Sequence, residues 1–143
     1  MSTEKYNTNL AAEYYVLSIL HRLGAEANLT LGNKKSVDVV VVRDAGDAVT
    51  IDVKGLAGTT SWPVDNVKVG KPNHFLVFVC FLGKINDLSV VPEVYVMPSE
   101  RLPEFTYTSP GEAKRKVVEL RVLRKRDEAK AFRNGWKLII GPT

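Results

Sequence analysis

Cysteine is nearly absent from this chain: there is one, Cys80, in 143 residues. No internal disulfide can form, and no cysteine-based metal cluster can be built. Cys80 lies in the apolar run Phe75-Leu76-Val77-Phe78-Val79-Cys80-Phe81 and reads as an inert core thiol of a reducing compartment. Histidine is scarce as well, with only His21 and His74, far apart in the sequence. With two separated histidines and one cysteine, a zinc hydrolase is disfavoured. No apolar run reaches the ~18–20 residues that span a bilayer. The opening residues, Met1 to Asn7, are polar and carry no signal-peptide core, so the expectation is a cytoplasmic protein.

What is present is the composition of an ordinary globular domain, 45% apolar and 25% charged. The length suits one domain over residues 1–143. The net charge of +4 is unevenly spread. Residues 113–137 hold ten basic and three acidic side chains, while the rest of the chain holds ten basic and thirteen acidic. Lys114, Arg115, Lys116, Arg121, Arg124, Lys125 and Arg126 therefore form a basic segment on a mildly acidic body. Such a segment can neutralise nucleic-acid phosphates and release counterions. A solvated helix face explains it equally well.

Helical spacing of Leu10, Val16, Leu17, Leu20 and Leu23 predicts a helix over 8–23, capped by Thr8 or Asn9 and closed at Gly24. Ala25–Leu31 is a weaker candidate strand, followed by a polar turn at residues 32–35. Val37–Val42 and Ala48–Lys54 are stronger strands, and Arg43–Asp47 between them has hairpin composition. Gly55–Ser61 is expected to be a loop ending at Trp62-Pro63. Phe75–Leu82 reads as a buried strand, Val94–Met97 as another, and Pro98 with Ser99–Leu102 as a turn into a short helix. Pro103–Gly111 is expected to be a loop, and Val117–Leu123 a strand. Asp127–Asn134 is expected to be a helix stopped by Gly135, with Trp136 and Leu138–Ile140 packing back. The order argues for an α+β fold, or α/β with a mixed sheet.

Three carboxylates lie where the apolar pattern calls for hydrophobic side chains. Glu13 is three residues after Leu10 and four before Leu17, on the helix face that should enter the core. Asp38 opens a strand that is otherwise apolar on both faces, and ionised burial there costs several kcal/mol unless compensated. Asp52 and Lys54 share one face of their strand, opposite Val49, Ile51 and Val53. If the Arg43–Asp47 loop aligns Val42 with Ala48, Asp38 comes opposite Asp52. Two carboxylates so close favour protonation unless a cation lies between them, and hard oxygen donors suit Mg²⁺. The pattern acid, any residue, Lys also occurs at Glu112-Ala113-Lys114 and Glu128-Ala129-Lys130, where surface charge explains it. Only Asp52-Val53-Lys54 follows a branched apolar strand with upstream acids.

These residues resemble the PD-(D/E)XK nuclease superfamily, with its restriction-endonuclease-like fold. The resemblance runs through Glu13 in Asn9–Val16, Asp38 in Ser36–Val41, and Ile51-Asp52-Val53-Lys54-Gly55. It extends to small stand-alone bacterial members, through Gly58–Trp62, Phe75–Val79 and Pro92–Ser99. The family's name-giving Pro is Val37 here, which leaves the metal ligands untouched.

The resemblance implies a single α/β domain with a mixed four-stranded sheet flanked by helices. It also implies Mg²⁺- or Mn²⁺-dependent hydrolysis of nucleic acid, with DNA favoured over RNA. Asp38, Asp52, the Val53 carbonyl and, through water, Glu13 would hold the metal, and Lys54 would orient the attacking water or offset charge. A homodimer is implied in the same way. A non-catalytic nucleic-acid- or partner-binding module on the same fold is the runner-up, and a purely structural protein a third reading.

Structural roles stand beside these. Glu13 could pair with Arg22 or Lys54, Asp38 could cap a turn after Lys35-Ser36, and Asp52 with Lys54 could be an exposed strand pair. Trp62 reads as a packing anchor rather than a base-stacking platform, and His74 as structural. His21 can answer the helix dipole.

Overall fold

A computed structural model describes residues 3–30, 38–68 and 71–141, with side chains from residue 7 onward. The expected turn at 32–35 lies outside these residues, as does Val37.

Helix α1 spans Thr3–Arg22 and buries Ala12, Val16 and Leu20 completely. It starts before the predicted Thr8, because the Ser/Thr/Asn capping signal is weak beside the helix preference of Glu4 and Lys5. It ends as expected at Gly24, whose φ of 83° closes the last turn. There the Gly24 N–H donates to the His21 carbonyl at 3.0 Å and the Ala25 N–H to the Leu20 carbonyl at 2.9 Å. Leu23 lies past the helix end and is exposed.

The strands are β1 (Glu26–Leu29), β2 (Val39–Val42), β3 (Ala48–Leu56), β4 (Ser61–Pro63), β5 (His74–Cys80), β6 (Glu93–Pro98), β7 (Thr106–Thr108) and β8 (Lys116–Glu119). Five of them form a mixed sheet in the order β1-β2-β3-β5-β6. The β3–β5 pairing is parallel and the others antiparallel. Among the described residues the sheet thus has one strand more than the four expected. The addition is β1, whose apolar content is low because it is an edge strand with only Ala27 buried.

The other three strands form a small antiparallel sheet, β4-β8-β7. It replaces parts of two expected loops, Gly55–Ser61 and Pro103–Gly111, whose short strands of three residues carry no periodic signal. The predicted strand Val117–Leu123 splits into β8 and helix α2 (Leu120–Lys125). Its buried residues Val118, Leu120 and Leu123 change spacing from two to three at Leu120, which explains the ambiguity. The segment predicted as a helix over 127–134 is a 3₁₀ helix, Asp127–Phe132, and another 3₁₀ helix covers Ser99–Phe105. A last short helix, α3, is Lys137–Ile140.

Two apolar layers sandwich the main sheet. On one face, Ala12, Val16 and Leu20 of α1 and Ile139 of α3 pack on Val39, Val41, Val49, Ile51, Val53, Val77 and Val79. On the other, Trp62, Val118, Leu123, Phe105 and Phe132 cover Leu76, Phe78, Tyr95 and Met97. Strand β5 is buried on both faces, the signature of its unbroken apolar run. The second layer stops short of β2, where Val40 and Val42 stay partly or fully open. Lys54, on the polar face of β3, lines a groove.

Two contacts fix the elements packed around β3. Gly55 lets β3 approach α1 closely, since a Cβ there would lie 3.0 Å from both the Ala12 Cβ and the Thr8 carbonyl oxygen. Arg43, at the β2–β3 turn, donates from Nε to the Ile139 carbonyl at 2.8 Å and from Nη2 to the Leu138 carbonyl at 3.0 Å. The turn itself closes through Arg43 N–H to the Asp47 carbonyl at 2.9 Å, with Gly46 at φ 92°.

Candidate active site

The hairpin register is the expected one, with Val42 opposite Ala48 and Val39 opposite Ile51. At Asp38 the ladder gives way to a side-chain contact. The Asp38 N–H donates to the Ile51 carbonyl at 2.9 Å, and its Oδ2 accepts the Val53 N–H at 2.8 Å. A carboxylate thereby takes the place of the next backbone acceptor. In a strand the N–H and C=O of one residue face the same neighbour, so the Val53 carbonyl is directed to this edge too.

Asp52 is 8% exposed and lies on the face opposite Val49, Ile51 and Val53, as expected. Lys54, two residues on, is half-buried. Asp52 with Lys54 is thus no exposed strand pair. Asp38 is held above the ordinary carboxylate range, chiefly by burial and then by the charge of Asp52, against the opposing pull of the Val53 N–H and the Lys54 ammonium. Glu13 is raised by burial and by the charge of Asp38. It sits half-buried on the flank of the α1 core line, alongside the partly buried Leu10 and Leu17. Among the described residues no ion pair joins Glu13 to Arg22 or Lys54.

Three acids and a lysine distant in sequence are therefore electrostatic neighbours. Their donors are hard oxygens, which fit Mg²⁺ or Mn²⁺, an ion that keeps several waters and takes one or two protein carboxylates. Among the described residues no group of three His, Cys, Asp or Glu side chains is arranged as a metal cluster. The fit is to the pair Asp38 and Asp52 with the Val53 carbonyl, and Glu13 acts on it through Asp38.

The raised groups carry a sign. An acid whose pKa is higher in the folded chain binds more protons there than in the unfolded one, so its contribution to stability falls as pH rises through the two values. Relative to the parent, Glu13→Gln should match in stability near about pH 4 and be more stable near about pH 7. Saturating Mg²⁺ should shrink the difference, and urea unfolding with EDTA or Mg²⁺ measures both effects.

Beside Lys54 opens a groove of about 550 Å³ lined by Asn9, Lys54, Ser61, Asp65, Asn66 and Arg115. Arg115 is 62% exposed and donates from Nε to Asp65 Oδ2 at 3.0 Å, while Asp65 Oδ1 accepts the Lys116 N–H at 2.8 Å. These contacts hold Asp65 below the ordinary carboxylate range.

The rest of the basic segment divides. Lys114, Lys116 and Lys125 are exposed, and Arg121 makes a surface pair with Glu119 at 3.2 Å. Arg124 instead clamps the buried Glu93, from Nε at 2.9 Å and Nη2 at 2.8 Å. Arg126 pairs with Glu128 at 2.9 Å and stacks 4.4 Å from the Phe105 ring centroid. Charge density along the sequence could not separate these structural arginines from the exposed lysines.

Trp62 is fully buried, donates from Nε1 to the Val79 carbonyl at 3.2 Å and tilts against Phe78 at 5.1 Å, so it is a packing anchor. His21 bonds through Nε2 to the Ala27 carbonyl at 2.8 Å, tying α1 to β1. His74 was expected to be structural. Its Nε2 lies 3.1 Å from Asp52 Oδ2, inside the candidate site. Only the β3–β5 register brings the two together, so no local sequence signal marked it.

No family model matches the chain, and no curated protein matches it. Among solved structures the chain is similar to a bacterial homing endonuclease, I-Ssp6803I. That likeness has a TM-score of 0.60 and 18% identity, and covers 97% of this chain and 91% of the other. It supports the fold: one mixed α and β domain with a mixed central sheet and flanking helices. No helix among the described residues is long and apolar enough to cross a membrane.

Proposed function

We propose that the chain is a metal-dependent nuclease of the PD-(D/E)XK kind, hydrolysing phosphodiester bonds of nucleic acid, with DNA favoured. The observation that carries this reading is that Asp38, bonded through Oδ2 to the Val53 N–H at the end of the β2–β3 ladder, feels the charges of both Asp52 and Lys54, and that Lys54 also lines a groove. The fold shared with a protein described as a homing endonuclease supports it.

In this reading Asp38, Asp52 and the Val53 carbonyl hold the cation, and Glu13 contributes through water. A bound Mg²⁺ or Mn²⁺ supplies Lewis acidity for the scissile phosphate and for the attacking water. Lys54 orients that water or offsets the charge that develops on the phosphate oxygens. Arg115, Lys114, Lys116 and Lys125 contact the sugar-phosphate backbone, with Arg121 released from its weak surface pair. Arg124 and Arg126 serve the fold instead, through Glu93 and through Glu128 and Phe105. Two copies acting together would cut both strands, and a reducing cytoplasm suits the lone buried thiol of Cys80.

One observation favours the runner-up, a binding module without turnover. Each carboxylate of the pair already has one oxygen engaged, Asp38 Oδ2 by the Val53 N–H and Asp52 Oδ2 by His74. Titration of Mg²⁺ or Mn²⁺ against labelled single-stranded, duplex and branched DNA, with an RNA control, separates the two. The nuclease reading expects cleavage that appears with metal and stops with EDTA. Binding that is indifferent to metal, with no cleavage of any substrate, supports the module instead.

A further inference from the structure

Asp52 has a partner that the chemistry above does not use. His74 opens β5, 3% exposed, with Nε2 3.1 Å from Asp52 Oδ2. In the parallel β3–β5 pairing His74 stands beside Thr50, and Leu76 beside Asp52. His74 and Leu76 share a face by the period of two, so His74 reaches Asp52 along a diagonal. The chain is aimed there by Asn73, whose φ is 52° and whose carbonyl accepts the Thr50 N–H at 2.9 Å.

An ionised carboxylate only accepts, so the proton of a neutral ring lies on Nε2 and Nδ1 carries a lone pair. That Nδ1 is buried and, among the described residues, has no hydrogen-bond partner. An apolar side chain would fill the same space without a desolvated, unmet nitrogen, so packing alone does not account for a histidine. We propose that His74 is a positioning residue, whose Nε2–H holds Oδ2 of Asp52 and so presents Oδ1 to the divalent cation. This role rests on the metal-dependent reading above. A donor behind a ligating carboxylate fixes its rotation and sharpens the site for one geometry.

The test compares His74→Leu, His74→Asn and His74→Gln. The amide nitrogen of Gln reaches about as far as Nε2, whereas that of Asn stops near the Nδ1 position. Mn²⁺ affinity is read by calorimetry and by the electron paramagnetic resonance of free Mn²⁺, and folding by near-ultraviolet circular dichroism. The Leu and Asn variants should bind Mn²⁺ roughly 10–100-fold more weakly, and the Gln variant within about threefold of the parent. Folded Leu and Asn variants that bind as tightly as the parent would overturn the role of His74 while leaving the metal site intact. Should the Leu variant not fold, the Asn and Gln pair decides by the same criterion. A parent that takes up no Mn²⁺ overturns the metal-dependent reading, and this role falls with it.

Discussion

Lys54→Ala will lower metal-dependent cleavage by about 10²–10³-fold, the usual loss when one preorganised charge at the reacting phosphate is removed. Mn²⁺ uptake should stay equal or become slightly tighter. The Lys54 ammonium already offsets part of the negative charge on Asp38. Without it the carboxylate pair is more crowded, and a divalent cation relieves more repulsion. Asp52→Ala should behave differently, losing cleavage and Mn²⁺ uptake together because a ligand is gone. Single-turnover cleavage of a labelled duplex, set against calorimetric titration of the same preparations, separates the two patterns. A Lys54→Ala protein that cuts at the parental rate would remove Lys54 from the chemistry.

Arg124→Ala will destabilise the fold by about 2 kcal/mol, less than the 3–5 kcal/mol of a fully buried pair because the arginine is partly exposed. The reason lies with its partner. Glu93 is 7% exposed and accepts two bonds from Arg124 and one, at 2.6 Å, from the Tyr95 hydroxyl. The Arg124 clamp holds Glu93 below the ordinary carboxylate range, and burial and Glu93 push the Tyr95 phenol up to about 12. Truncating Arg124 strands a carboxylate with Tyr95 and with Arg133 at 3.9 Å. A lowered acid stabilises the fold above its unfolded value and loses that contribution as pH falls through the folded one. The difference between parent and variant should therefore be full near neutrality and shrink below about pH 4. Urea unfolding at several pH values measures it. Lys125→Ala, by contrast, should leave stability unchanged and reduce the salt dependence of DNA binding by about one phosphate contact.

That contrast marks where the sequence stops being informative. Ten basic residues in 113–137 look alike as charges, yet Arg124 is committed to Glu93, a residue thirty-one positions away on β6. The apolar patterns were read well where burial is two-sided or strictly alternating, as in β5 and in Val49, Ile51 and Val53 of β3. They failed where strands are three residues long and held by neighbours, as in β4 and β7. The acids were legible because a carboxylate in an apolar strand breaks a rule, and a broken rule usually marks a site. The β2–β3 register, with Val42 opposite Ala48 and Val39 opposite Ile51, could be read in advance because a short hairpin loop fixes which residues oppose each other. His74 could not, since its distance from Asp52 depends on a parallel crossover through β4 that no local spacing encodes.

The ties between Arg43 and the carbonyls of Leu138 and Ile139 bear on inheritance as much as on architecture. Sliding β2 by a single position would turn Asp38 to the opposite side of the sheet and dismantle the proposed cation cradle without altering one acidic residue. Helix α3 thus acts as a staple on the alignment of two strands. Relatives that lose α3, or that lengthen the Arg43–Asp47 bend, would keep Glu13, Asp38, Asp52 and Lys54 and still lose the proposed activity.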